Sequence, residues 1–158
     1  MIYGDSSFVL RLLCHEAGSE EAVALYRRLG RPVMAFSPLH ELEVRNGLRL
    51  KAFIEKGALP PARRTSVDRE LKAWESRLER YLNRGALQAM AADWSPAAEQ
   101  ALTLSAAHTL KLGTRTYDIL HVAFALTVNC RDFITCDIRQ AALAKAAGLK
   151  VTLVETDS

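Results

Sequence analysis

The chain has 158 residues, 49% of them hydrophobic and 25% charged, with 8 glycines and 5 prolines. These proportions exclude intrinsic disorder and fibrous repeats, and a chain of this size buries a core without disulfides or a structural metal. The 21 basic and 18 acidic residues leave a formal charge of +3, which permits a polyanionic partner and requires none.

Met1-Ile2-Tyr3-Gly4 is a short apolar segment ended by Asp5, a strand candidate. Ser6 and Ser7 offer caps for a helix through Phe8 to Leu13, and Ser19 with Glu20 and Glu21 opens a second helix over Ala22 to Leu29, stopped by Gly30. Pro32 to Phe36 is the next strand candidate. Ser37-Pro38, an N-cap residue followed by proline at the first helical position, predicts a long helix from Pro38 to about Lys56, closed by Gly57 and the Pro60-Pro61 break. Over residues 66–84, Leu71, Trp74, Leu78 and Leu82 recur at steps of three and four in a strongly charged stretch, the pattern of an amphipathic surface helix.

Leu87 to Met90 is a further strand candidate. Ser95-Pro96 repeats the cap-plus-proline signal for a helix reaching about Leu112 before Gly113. Thr116 to Val128 follows as a helix with the apolar stripe Ile119, Val122, Ala123 and Leu126. The chain closes with a strand at Phe133 to Cys136, a helix at Ile138 to Ala147 stopped by Gly148, and a strand at Val151 to Val154. Strands alternating with helices imply an α/β fold, a parallel sheet covered on both faces, in a single domain rich in helix.

Cys14, Cys130 and Cys136 are odd in number and lack C-x-x-C spacing, so neither a disulfide framework nor a thiolate zinc site is indicated; their apolar neighbours predict buried free thiols. Met1 to Asp5 contains no basic segment and no apolar leader, and no apolar run is long enough for a bilayer, so a reducing cytoplasm and no membrane are expected.

In a parallel sheet with right-handed crossovers, the carboxyl ends of the strands share one edge, where ligands bind. Asp5 and Asp137 both stand at the carboxyl end of a predicted strand and therefore meet at that edge. Asp118 lies in the first turn of its helix, a position acids also favour through the helix macrodipole. On the helix after Pro38, the steps from Leu39 through Leu42 to Glu43 and Asn46 put Glu43 at the border of the apolar stripe. Glu41 points away from it, which makes Glu43 the better candidate. Carboxylates forced together repel one another unless a cation joins them. An all-oxygen cluster suits Mg²⁺ or Mn²⁺, the ions of phosphate chemistry.

Four segments in this order resemble the PIN domain family, and within it the VapC-like ribonuclease toxins of bacterial toxin–antitoxin pairs. They are the strand ending in Asp5-Ser6-Ser7; Ser37-Pro38-Leu39-His40-Glu41-Leu42-Glu43-Val44-Arg45-Asn46; Tyr117-Asp118-Ile119-Leu120-His121-Val122-Ala123-Phe124-Ala125, which matches a D-x-x-H-x-A-x-A segment; and Thr135-Cys136-Asp137 with the helix after it. The resemblance covers nearly the whole chain and implies one PIN domain over residues 1–158, a three-layer α/β/α fold. It implies Asp5, Glu43, Asp118 and Asp137 as the acids that bind Mg²⁺ or Mn²⁺, with Thr135 behind them. It also implies endoribonuclease activity by metal-assisted attack of water on an RNA phosphodiester, a homodimer, and a cognate antitoxin. The family's further acid near the third position is absent here, where Ile119, Leu120 and His121 follow Asp118, so the number of metals stays open. Residues 58–94 carry no family signal.

Arg45, Arg49, Lys51, Arg115 and Arg139 accompany the acids and suit a phosphate backbone, although a solvated helix face explains any one of them; Arg139, two positions past Asp137, is the candidate RNA contact. His121 lies one turn after Asp118 and is expected to pack within the helix layer, with contact to that acid or to RNA as the alternative; His40, His108 and His15 carry no legible context. Trp74 is expected in the core, with an antitoxin groove as the other reading. Two rival functions remain: a PIN nuclease of general RNA processing without antitoxin, and a non-catalytic PIN-like binding module, against which the four acids argue. Asp5-Ser6-Ser7 lacks the D-x-D of haloacid-dehalogenase-type phosphatases, and the paired acids and late lysine of receiver domains are also missing.

Overall fold

The computed structural model describes residues 1–91 and 93–154. In chain order the elements are β1 (Tyr3–Gly4), α1 (Ser6–Leu13), α2 (Ser19–Arg28), β2 (Met34–Phe36), α3 (Pro38–Ala58), a 3-10 turn at Pro61–Arg63, and α4 (Arg64–Asn83). They continue with β3 (Leu87–Ala89), α5 (Trp94–Leu112), α6 (Thr116–Thr127), β4 (Asp132–Thr135), α7 (Ile138–Ala146) and β5 (Lys150–Leu153). Every predicted strand and helix is present.

All strand pairs are parallel. β1, β4 and β5 form one ladder, with Tyr3 opposite Phe133 and Gly4 opposite Ile134, and β2 pairs with β3. Ile2 joins the two ladders: it bridges to Met34, its N–H donates to the Val33 carbonyl at 3.1 Å, and its carbonyl accepts from Ala35 N–H at 2.8 Å. The spatial order is therefore β3-β2-β1-β4-β5, with β1 at the centre.

Successive strand residues face opposite sides of a sheet, and the two cores follow that alternation. Met34, Phe36 and Ile134 enter a core made with α1, α2, α3 and α4, whereas Tyr3, Ala35 and Phe133 enter one made with α5, α6 and α7. The result is the expected three-layer α/β/α arrangement. Tyr3 and Phe133, cross-strand neighbours, stack at 5.5 Å and pin the centre of the sheet; such aromatic pairs contribute about 0.5–1.5 kcal/mol beyond their buried area. Trp74 and Leu78 are buried in the first core, with Leu71 and Leu82 packed against it, so the stripe on α4 serves packing.

Three local expectations change. The cap of α1 is Asp5 rather than Ser6 or Ser7: its carboxylate accepts the Phe8 N–H. The cap of α5 is Asp93, one residue before Trp94, because its carboxylate reaches the Ser95 N–H; Pro96 then sits in the first turn, where no N–H is needed. Gly57 does not close α3. The helix runs to Ala58 and stops because Leu59, in extended backbone at φ −108° and ψ 145°, precedes Pro60. Cys14 and Cys130 are buried free thiols as expected, but Cys136, just past the end of β4, is only partly covered. None of the described helices is long and apolar enough to cross a membrane.

Candidate functional site

The carboxyl edge of β1 and β4 carries a chain of hydrogen bonds that begins at Asp5. This residue is 3% exposed. Its Oδ1 accepts the Phe8 N–H and the Ser7 hydroxyl, each at 2.8 Å, and its Oδ2 accepts the Thr135 hydroxyl at 2.8 Å. Burial pushes the carboxyl up; the His121 ring and these three donors pull the other way without cancelling it. A buried carboxylate of this kind gains from any cation brought near it.

Thr135 ends β4 beside β1, and the Gly4–Ile134 register is what delivers its hydroxyl to Asp5. The same oxygen lies 2.7 Å from the Gln140 carboxamide and accepts the Asp137 N–H at 3.0 Å. Asp137 in turn caps α7, its Oδ1 accepting from Arg139 N–H at 2.7 Å and Gln140 N–H at 3.1 Å. Its Oδ2 accepts from Arg115 Nη2 at 3.0 Å, and Arg115 Nε donates to Asp118 Oδ2 at 3.2 Å. The Arg115 guanidinium is thus a positive charge joining two of the predicted acids, with its side chain 63% exposed. Asp5, Thr135, Asp137, Arg115 and Asp118 form one continuous network.

Glu43 belongs to a second network alongside. Its Oε2 accepts from His121 Nε2 at 2.5 Å, the same nitrogen lies 3.1 Å from the Ser6 hydroxyl, and His121 Nδ1 is 2.9 Å from the Tyr3 hydroxyl. Burial alone would raise the Glu43 carboxyl, but the His121 hydrogen bond, the His121 charge and Ser6 together hold it below the usual range. The two networks meet at the start of α1, where Asp5, Ser6 and Ser7 are consecutive. His121 is packed within the helix layer as expected, yet its polar contact is with Glu43 rather than Asp118.

His40 belongs to the same wall, a role not expected from the sequence. Its Nε2 donates to the Gly4 carbonyl at 2.7 Å, which leaves Nδ1 to accept from Ser37 N–H at 3.0 Å, and it completes the capping box of α3. Burial and the neighbouring His121 hold its pKa well below the ordinary histidine value, so the ring is neutral. A histidine three residues after a Ser-Pro helix start was the available signal, since that spacing is the capping-box spacing.

The basic residues divide between the two readings. Arg45 pairs with Glu41 at 2.5 Å and Glu79 at 2.9 Å, Arg49 with Glu75 at 3.4 Å, and Lys51 with Glu55 at 3.0 Å. These three are committed to ion pairs within α3 and between α3 and α4. The same pairs confirm that Glu41 faces away from the site. Arg139 gives its backbone N–H to Asp137 while its side chain stays exposed and, among the described residues, makes no ion pair.

Among the described residues no three His, Cys, Asp or Glu side chains gather closely enough to enclose a metal ion. In kind, however, the donors fit a hard divalent cation: Asp5, Asp118 and Asp137 offer only oxygen, and two of them already share the positive charge of Arg115.

The PIN domain family model matches residues 2–146, a span that includes all four predicted acids. No curated protein matches the chain. Among solved structures it is similar in fold to FitAcB from Neisseria gonorrhoeae, with a TM-score of 0.62 and 18% identity over 96% of each chain. By the match over residues 2–146, the chain belongs to the PIN domain family.

Proposed function

We propose that this PIN domain protein is a Mg²⁺- or Mn²⁺-dependent endoribonuclease, the toxin of a toxin–antitoxin pair. The observation that carries the nuclease reading is the continuous Asp5–Thr135–Asp137–Arg115–Asp118 network on the carboxyl edge of the sheet. PIN domains are typically nucleases, and this network supplies hard oxygen donors where such a domain needs them.

Asp5, Asp118 and Asp137, with Glu43 beside them, would hold the cation. Bound there, it supplies Lewis acidity at the scissile phosphate and lowers the pKa of an attacking water. The protein's own part is positional. Three donors fix the Asp5 carboxylate on a buried strand end, and Thr135 locks its spacing to Asp137. His121 keeps Glu43 ionised and aimed at the start of α1. Arg139, exposed at the rim and in no ion pair among the described residues, would meet phosphate oxygens, while Arg115 is committed to Asp118 and Asp137. The toxin assignment, the homodimer and the antitoxin rest on the resemblance carried by the four motifs together.

The test is incubation of total RNA with the wild type and with Asp5→Asn, in Mg²⁺, Mn²⁺ or chelator. Cleavage confined to the wild type with metal is expected. Cleavage that survives chelation, or full activity in Asp5→Asn, would refute the metal-dependent reading.

A further inference from the structure

The opposite edge of the sheet carries a cavity of about 580 Å³ walled by Arg27, Arg31, Arg77, Arg80 and Arg84, with no acidic residue in its lining. It lies at the amino ends of β2 and β3, since Val33, Gly85 and Ala86 line it just ahead of those strands. None of the five guanidinium groups makes an ion pair among the described residues, in contrast to the arginines of α3. Tyr26 and Tyr81, stacked at 6.5 Å, form part of the wall. Arg77 is held in place by donating to the Leu13 carbonyl at 2.6 Å.

Arginine, not lysine, supplies all five charges, and its planar fork matches phosphate oxygens two at a time. A second cavity, of about 380 Å³, shares Leu12, Val23, Arg27 and Arg77 with the first and adds Arg11 and His15. Arg11 donates to the Ser7 carbonyl at 3.1 Å, and Ser7 donates to Asp5. The second cavity also holds Glu20, and Arg11 pairs with Glu16 at 3.8 Å, so it links the acidic site to the arginine cavity along α1 by position rather than by an unbroken run of positive charge. With 8 residues, α1 is about 12 Å long, a reach that a few nucleotides of extended strand cover.

We infer that the arginine cavity binds the phosphates of single-stranded RNA and anchors the substrate away from the scissile bond. The inference rests on the ribonuclease reading for its substrate, but its test does not require cleavage. An acidic peptide would also answer the charge; the position of the cavity at the far end of α1, one short helix away from the Asp5 site, favours RNA.

The experiment measures binding of a labelled single-stranded RNA of roughly 12 nucleotides by fluorescence anisotropy, in chelator, across a salt series. The proteins are the full-length wild type, Arg80→Gln with Arg84→Gln, and a charge-matched control, Arg69→Gln with Lys72→Gln, on α4 outside the cavity. The expected result is at least about a tenfold loss of affinity at low salt for the cavity variant. The salt slope should shrink by about 1.4, from two lost single-strand phosphate contacts at roughly 0.7 each, and the control should move little. Should the cavity variant fail to fold, Arg27→Gln with Arg31→Gln replaces it.

Equal losses in control and cavity variants would overturn the proposal, as would no loss in either. Oligoglutamate displacing RNA from the wild type more tightly than RNA itself binds would also overturn it, in favour of an acidic protein partner. Displacement by pyrophosphate alone, with no gain from RNA length, would assign the cavity to a free phosphate compound instead. RNA binding that depends on Arg80 and Arg84 in a protein that never cleaves RNA would sustain the cavity and remove the nuclease reading.

Discussion

Thr135→Val tests whether the acidic site is built on a hydroxyl. Thr135 is fully buried, and its oxygen has three partners: Asp5 Oδ2 at 2.8 Å, the Gln140 carboxamide at 2.7 Å and the Asp137 N–H at 3.0 Å. Valine nearly preserves the volume, so the cost is polar and no cavity opens. Losing a hydrogen bond to a charged acceptor costs about 1.5–3 kcal/mol, and leaving the Asp137 N–H without a partner about 1–3 kcal/mol more. Together these give about 2.5–6 kcal/mol, which for a chain of this length lowers Tm by on the order of 10 °C. Thr135→Ser keeps the hydroxyl and should lose only about 0.8 kcal/mol for the methyl group. Urea titration measures both, and an unchanged m value would show that only stability has moved. A second readout is the coupling to Asp5→Asn, because Thr135→Val should cost less in the Asp5→Asn background than in the wild type. A valine variant within about 1 kcal/mol of the wild type, or a serine variant worse than valine, would refute the account.

Asp5→Asn should be at least as stable as the wild type when no metal is present. Burial raises the Asp5 carboxyl, so the ionised form costs folding energy once pH exceeds its folded pKa, while asparagine still caps α1 and accepts from Phe8. A clear fall in its Tm would contradict this. Divalent cation at about 100 times its Kd should stabilise the wild type by about 2.7 kcal/mol and the variant by much less, as read by thermal shift. For His40 the folded pKa is depressed, so its neutral form supports folding above the ordinary value of 6.5 and that support fades as pH falls below it. The urea midpoint should drop on going from neutral to mildly acidic buffer, by up to about 1.4 kcal/mol per pH unit, and His40→Gln should flatten that slope; an unchanged slope would exclude His40 as its source. Glu43, held below 4.5, loses its contribution only in the more acidic range, which separates the two. Gly4→Ala places a Cβ 2.7 Å from the Phe8 ring and should destabilise by about 1–3 kcal/mol; a neutral effect would mean that α1 shifts freely against β1.

The order of elements was legible because each one is bounded by residues whose local chemistry decides for them: Ser37-Pro38 opens α3, Gly113 in left-handed backbone closes α5, and Gly30 follows α2. The errors arose where two local signals competed. Asp5 outbid Ser6 and Ser7 as a cap, and Asp93 outbid Ser95, because a carboxylate is the stronger acceptor and lay within reach. The three-layer arrangement followed from alternation alone. What spacing could not show is which side chain satisfies which. The pairing of His121 with Glu43 joins residues 78 positions apart, and the commitment of Arg45 and Arg49 to α4 depends on a helix packing angle that no sequence pattern states. The arginine cavity stayed hidden for the same reason, since its walls come from α2, α4 and the segments preceding two strands.

Three of the four acids are also helix-terminus residues: Asp5 caps α1, Asp118 accepts the Arg115 N–H at the start of α6, and Asp137 caps α7. A cap needs one oxygen for the backbone N–H groups, and a carboxylate has two. At Asp137 the division is plain: Oδ1 takes the two N–H donors of α7, and Oδ2 turns outward to Arg115. Asp5 divides likewise, Oδ1 to α1 and Oδ2 to Thr135. Each acid is thus oriented by its own helix before any ligand arrives, and the helix dipoles favour its charge in a place where burial opposes it. The macrodipoles of α1, α6 and α7 therefore hold ready the carboxylates that a cation would join. This is why a set of residues that looks in isolation like ordinary capping can also serve as a preorganised acidic centre. It also explains why exchanging any one of these aspartates for asparagine should spare the helix and remove the charge.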